Sequence, residues 1–375
     1  MQTLKELRHQ LHKYPELSGN EKNTSIRVLQ YVKQFDPDEI IEGIAGNGLA
    51  VVFKSKNEGP CILIRCDLDA IPVQETSDKH YSSVNPGISH TCGHDGHIVI
   101  AIGLCKELSA NKIKNGSVII VFQPSEENGI GAKAFLEDPK FKSFKPDYAF
   151  ALHNMPGFPM HSIVIPKKNF SASVESLAIK LEGKECHASE PEKGINPSLA
   201  IAEITQELDL MNNLDQEKED FNLITPVCIK MGQVAYGVSA GSAELHYTLR
   251  AWNDKTLDSI KANLLKHIED ISSKHNLSFN CECFDYFPAT RTNDQARFII
   301  AESAKAVNLE IIDKDLPFRF GEDFGWFSKK IPSCMFALGS GMDSPALHHS
   351  DYDFRDELID TGVNIYSSII KSILA

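Results

Sequence analysis

"SVIIVFQPSEEN", residues 117–128, is the stretch on which the fold turns. Val118 to Phe122 form an unbroken apolar run, mostly β-branched, with no polar alternation. Such a run suits a strand covered on both faces, the condition of strands in a helix-flanked parallel sheet. Pro124 ends it, and the adjacent acids Glu126 and Glu127 follow at once. Open α/β sheets place reactive side chains just beyond the carboxyl ends of their strands, so the same stretch also predicts chemistry.

Outward from it, runs of the same kind recur at "GLAVVF" (48–53), "CILIRCDLDAIPV" (61–73) and "DYAFALHN" (147–154). Between them "HIVIAIGLCKELSA" (97–110) and "GAKAFLED" (131–138) have helical spacing, and residues 3–35 read as amphipathic helix broken near Tyr14-Pro15. Alternating strands and helices predict an α/β domain with a mixed, mostly parallel sheet flanked by helices. Near residue 172 the character changes. "SVESLAIKLEGK" alternates like a half-buried strand, helices are predicted over 196–213 and 257–276, and "VCIKMGQV", "SAELHYTLRAW" and "LSFNCECFDYF" read as antiparallel strands. The expected organisation is a first catalytic segment at 1–171, an inserted two-layer α+β lid or dimerisation domain at 172–287, and a second catalytic segment at 288–375.

Composition narrows the class. A length of 375 residues with 42% apolar and 24% charged side chains is that of a globular enzyme with more than one core. The formal charge of −13 argues against nucleic-acid binding, which needs a basic face. No apolar stretch approaches the roughly 20 residues that span a bilayer, so no membrane partner is expected. The opening "MQTLKELRHQLHKYPEL" lacks the apolar core of a signal peptide, and the nine cysteines form no regular framework. A cytoplasmic protein with free thiols is the expectation.

The polar strand ends carry the chemistry. "CILIRCDLDAIP" ends in Asp67 and Asp69, "SVIIVFQPSEEN" in Glu126 and Glu127, and "DYAFALHNMP" in His153. "CMFALGSG" (334–341) leads to "ALHHSDYDF" with His348 and His349, and "SHTCGHDGH" (89–97) adds Cys92 and His94 before a helix. Thiolate, imidazole and carboxylate donors aimed at one sheet edge suit divalent metal, and a pair of metals needs more ligands than one loop supplies. On the residues alone, the set is Cys92, His94, one of the two glutamates, His153, and His348 or His349. The other glutamate is then free to act as general base on a water. A zinc staple is the bland alternative, but staples favour Cys and His in tight pairs, and the distant glutamates do not fit one. Taken singly, His187 reads as a surface residue of a Gly-flanked loop, and Arg250 as a strand-surface arginine that could also clamp a carboxylate with its two-pronged donors.

"HTCGHDGH", "FQPSEEN", "ALHNMP", "GKECHASEPEKGINP", "FGEDF" and "LHHSDYDF" occur in this order along almost the whole chain. In this the sequence resembles the dinuclear metallo-amidohydrolases that include aminoacylases, hippurate hydrolases, auxin-conjugate hydrolases and N-acetyl-diaminopimelate deacetylases, and more distantly the carboxypeptidase G type. The resemblance implies a zinc-peptidase-like catalytic domain and two divalent metal ions (Zn, Mn, Co or Ni) held by Cys92, His94, Glu127, His153 and His348. It implies Glu126 as the base, His187 as the histidine that stabilises the oxyanion, and Asp69 as an acid orienting a ligand. The implied reaction is hydrolysis of the amide of an N-acyl amino acid, a small-molecule substrate, with a dipeptidase or carboxypeptidase using the same site as the alternative. A catalytically silent metal-binding protein is the non-enzyme alternative. Glu192 and Asn196 stand where commoner forms have His and Asp, and Arg355 where Asn is usual, which bears on substrate preference. The insert's strand edges offer a route to a homodimer.

Overall fold

The computed structural model describes residues 3–374, which fall into two compact units. The first comprises the chain up to Phe170, Thr290–Pro317 and the segment from Glu322 onward; the second comprises Ser171–Ala289 and Phe318–Gly321. Phe318–Gly321 falls within the segment 288–375 expected to complete the catalytic domain, yet it belongs to the second unit. It joins the second unit because Phe318 bridges Ser171, and the Ala172 amide donates to the Phe318 carbonyl at 2.9 Å.

In chain order the first unit begins with α1 (Leu4–Lys13), α2 (Lys22–Val32), β1 (Glu39–Ile44), β2 (Gly48–Lys54) and β3 (Cys61–Asp67). It continues with α3 (His94–Ala110), β4 (Ser117–Gln123), α4 (Gly131–Glu137), β5 (Tyr148–Met155) and β6 (Ile163–Pro166). The second unit holds β7 (Ser173–Glu182), β8 (Cys186–His187), α5 (Ser198–Leu210), β9 (Asn222–Met231), β10 (Val238–Ser239), β11 (Ser242–Ala251), α6 (Asp254–Lys274) and β12 (Ser278–Phe287). The first unit then resumes with α7 (Asp294–Ala306), β13 (Ile311–Lys314), α8 (Gly325–Ser328), β14 (Ser333–Gly339) and α9 (Leu358–Leu374).

The first unit is built on an eight-stranded sheet in the order β1-β2-β4-β3-β5-β14-β6-β13. Its centre, β4-β3-β5-β14, is parallel throughout, while β1, β2 and β6 introduce antiparallel pairings. The central strands are the apolar runs of the sequence, and β4 is buried from Val118 to Gln123. α3 is apolar nearly all round and buried from His94 to Cys105, as a helix sandwiched between sheet and outer helices must be. α1 and α9 pack along it, so the amphipathic helices at both ends of the chain close over one core. Each Ile or Leu taken fully out of water there contributes about 1.5–3 kcal/mol.

The second unit is an antiparallel sheet in the order β12-β7-β11-β9 with α5 and α6 packed on it. On β11 every second residue is buried, from Ala243 through Leu245, Tyr247 and Leu249 to Ala251, the period-two pattern of a sheet covered on one face. α6 starts where Asn253 accepts a hydrogen bond from the Thr256 amide at 2.9 Å. Among the described residues no helix is long and apolar enough to cross a membrane.

Candidate metal centre

The four central parallel strands end on one edge, and the residue types gathered there are those the sequence singled out. Asp67 is the last residue of β3, with Asp69 two positions on; Glu126 and Glu127 follow β4; His153 lies on β5; His348 sits in the loop after β14. Cys92 and His94 arrive from the start of α3, which runs back along the sheet from this edge. Two turns hold left-handed backbone at non-glycine residues, Ser125 (φ 58°) and His348 (φ 66°), a conformation that costs energy unless the surroundings impose it. The surroundings do so: the buried Glu21 carboxylate accepts from the Ser125 amide at 2.8 Å, and the His348 amide donates to the Thr91 carbonyl at 2.9 Å.

The resulting distances are short. Cys92 Sγ stands 3.5 Å from His153 Nε2 and 3.3 Å from His348 Nε2. Glu127 Oε1 lies 3.7 Å from His94 Nε2 and 3.6 Å from His348 Nε2, and a Glu126 oxygen lies 4.0 Å from His94 Nε2. Donor atoms of Cys92, His94 and His153 all fall within 4.8 Å of one another, and so do those of Cys92, Glu127 and His348. Cys92 is common to both triads. His94, Glu126 and Glu127 form a third group at the same spacing.

A surrounding layer fixes how these side chains point. His94 Nδ1 is 2.9 Å from the Asp69 carbonyl and His153 Nδ1 is 2.8 Å from the Asn154 carbonyl. A carbonyl only accepts, so each ring places its proton on Nδ1 and turns Nε2 to the cluster. Asp69 also accepts from the Glu127 amide at 2.9 Å and the Ser18 hydroxyl at 2.7 Å. His97 spans Asp67 (2.7 Å) and Asn154 (2.5 Å). Behind them the buried Arg65 guanidinium reaches Asp67 at 2.7 Å, Asp323 at 2.6 Å, Glu322 at 3.1 Å and Gln123 at 3.0 Å. The Asp323 amide faces Glu126 Oε1 at 3.4 Å.

The electrostatics follow from this crowding of acids. Burial opposes a charged His94, but Asp67 and the carboxylates of Asp69 and Glu127 outweigh it and raise the imidazole to about 10. Burial, reinforced by Glu127 and Glu126, pushes the Cys92 thiol well up. Burial, with Glu322 and Glu127 beside it, holds Glu126 well above the usual carboxylate range. Burial lowers His153 strongly, helped by His97 and His94. A divalent cation binds thiolate, carboxylate and neutral imidazole, so its binding here would release the protons that Cys92 and His94 hold, while His153 is already neutral. Two of its atoms, His94 Nε2 and Glu127 Oε1, are buried without a hydrogen-bond partner among the described residues. Orphaned donors inside a mixed sulfur, nitrogen and oxygen set fit a pair of first-row divalent ions.

All of these residues belong to the first unit. His187 and Arg250 lie in the second. His187 is exposed on β8, with its Nδ1 2.6 Å from the Ser189 hydroxyl, and Arg250 Nη1 donates to the Arg319 carbonyl at 2.7 Å. Neither Arg65 nor Asn154 was singled out from the sequence. A charge inside the apolar run "CILIRCD" was the available signal for Arg65: a guanidinium on a strand buried on both faces has to be paired.

Residues 63–372 match the sequence profile of peptidase family M20/M25/M40. A hippurate hydrolase of Campylobacter jejuni is 30% identical over 367 residues, spanning 97% of this chain and 94% of that protein. An N-acetyldiaminopimelate deacetylase of Lactobacillus helveticus is 29% identical over 365 residues, spanning 96% and 94%. In fold the chain is similar to the Bacillus subtilis YXEP protein, a dinuclear metal binding peptidase, with a TM-score of 0.83 at 24% identity over 99% of this chain and 97% of that one. With the profile matched over most of its length, the chain belongs to peptidase family M20/M25/M40.

Proposed function

We propose that this family member is an amidohydrolase that cleaves the amide bond of N-acyl amino acids at a centre of two divalent cations. The observation that carries the reading is the sharing of Cys92 by two donor triads, with the spare carboxylate of Glu126 beside them. Cys92, His94 and His153 would hold one cation, and Cys92, Glu127 and His348 the other. When bound, such ions supply Lewis-acid polarisation of the carbonyl and acidify the attacking water. Glu126 takes the proton of that water and returns it to the departing amine. Asp69 keeps the His94 ring and the Glu127 backbone in place. His187 is assigned to the oxyanion on the resemblance alone. Arg250, which has no carboxylate partner among the described residues, is assigned to the substrate carboxylate.

The relatives divide over the acyl group: one is named for hippurate and one for an N-acetylated diamino acid. Both kinds of substrate are N-acyl amino acids, so the coarser reading accommodates either, and dipeptide cleavage is the second possibility. The deciding experiment measures metal content of gently purified protein and turnover on N-benzoyl and N-acetyl amino acids and dipeptides, before and after chelation. Roughly two ions per chain, as a dinuclear centre requires, with chelation-sensitive and metal-restorable turnover on an acyl amino acid support the proposal. Metal without turnover on any member of the panel overturns it.

The second unit suggests an assembly. β9 is an edge strand whose Val227, Ile229 and Met231 are exposed at alternate positions, a surface suited to pairing with a second copy. The free thiols fit a reducing, cytoplasmic setting.

A further inference from the structure

Asn154, the residue after His153 on β5, is wholly buried where the segments bearing Cys92, His97 and Tyr352 meet. Its Nδ2 donates to the Cys92 carbonyl at 3.1 Å and to the Tyr352 hydroxyl, and its Oδ1 faces His97 Nε2 at 2.5 Å. A carbonyl only accepts, so the Cys92 contact fixes which way the amide is turned. Gly93 makes room for it: a Cβ there would stand 2.5 Å from Oδ1 and 2.7 Å from Nδ2. Tyr352, also buried, closes the turn that follows His348, its amide donating to the His349 carbonyl at 2.9 Å.

The donors of the two triads differ in how they are held. His94 and His153 each have a main-chain carbonyl on Nδ1, and for His153 that carbonyl is Asn154's own. His348 has a half-exposed side chain and no such carbonyl among the described residues. Its place beside Cys92 is set through its amide, which donates to the Thr91 carbonyl, and through the Asn154 side chain, which ties Cys92 to the turn ending at Tyr352. We infer that Asn154 is the positioning residue for the cation assigned to Cys92, Glu127 and His348, an inference that rests on the two-cation reading above. Loss of its side chain leaves its carbonyl on His153 and the Asp69 carbonyl on His94. The first triad therefore keeps its imidazole supports, while the second loses the tie between its sulfur and its imidazole.

Cobalt(II) is the probe, titrated into the whole chain after chelation has stripped it of metal, and followed by calorimetry and by thiolate-to-cobalt charge-transfer absorption. The native chain is expected to bind in two steps, with the thiolate band changing in both because Cys92 serves both cations. Asn154→Leu keeps the size of the side chain and removes its donors. Its first step is expected to hold and its second to weaken about tenfold or more, leaving the band complete after the first. Tyr352→Phe deletes one hydroxyl and is expected to weaken the second step alone, by about fivefold. A second step of native affinity in either folded variant overturns the inference. So does an equal loss of both steps, the mark of a general packing defect. Should Asn154→Leu not fold, Tyr352→Phe decides alone. A native chain with a single step removes the two-cation reading and this assignment with it, whereas two steps without turnover count against the proposed reaction only.

Discussion

At the scale of single residues, Glu126 and His12 make opposite demands on a proton. Glu126 is 5% exposed at the end of β4, and Glu126→Gln keeps its shape while removing its capacity to accept a proton. Metal content is expected to be unchanged, with kcat lowered about 10²- to 10⁴-fold and KM nearly constant, as for loss of a general base. Steady-state kinetics alongside metal analysis checks this, and an active variant would remove the assignment. His12, by contrast, is a structural cation. It is buried on α1 with Nδ1 2.9 Å from Asp95 and Nε2 3.3 Å from Glu75. Burial pulls the imidazole down, but Asp95 outweighs it and raises His12 to about 9. A group raised on folding adds stability fully present below its unfolded pKa of about 6.5 and lost as pH climbs through the folded value. The gap in thermal midpoint between the native chain and His12→Gln is therefore expected to be widest near pH 6 and nearly closed by about pH 10. A gap that does not change with pH would show that His12 is neutral in the fold.

At the scale of elements, α3 shows what a periodicity reading misses. The apolar spacing predicts a helix over 97–110, yet the helix starts at His94, because Gly93 takes a left-handed turn (φ 95°) that a side chain would resist. Gly96 then admits the Phe354 ring: a Cβ at that position would meet ring carbons at 2.3–2.4 Å. Gly96→Ala is expected to destabilise the first unit by about 1–3 kcal/mol through overpacking, and to weaken metal binding because His94 lies in the same turn. Denaturant titration checks the first effect. Partial recovery with Phe354→Leu in the same chain would assign it to this contact. The strands absent from the sequence reading have physical reasons too. β1 is a partly exposed edge carrying Glu39, Glu42 and Gly43, β6 is four residues long and ends in proline, and β13 is a short edge with two charges. None has the long apolar run that made β4 legible. The insert was better marked, because β11 alternates cleanly and α6 carries an amphipathic stripe.

At the scale of the whole molecule, the exposed edge of β9 predicts association. Light scattering is expected to give twice the chain mass of 41.6 kDa, and Val227→Lys with Ile229→Lys to return it to the monomer without loss of secondary structure. A monomeric native chain would remove the proposal. What the sequence determined by itself was local: which runs are buried strands, which acids and imidazoles end them, and that Cys92 and His94 share a turn. Spacing along a strand or helix fixes these, since each is a matter of residues a few positions apart. The tertiary structure decided how they combine. The strand order β4-β3-β5-β14 brings Cys92 within 3.3 Å of His348, a residue 256 positions away, and lets one thiol serve two triads. The same packing buries Arg65 among Asp67, Glu322 and Asp323, so that a lone charge in an apolar run becomes the counterweight of an acidic centre. Local patterning sets the face each side chain takes, but the distance between remote donors is set only when non-local strand pairing and helix packing close the core around them.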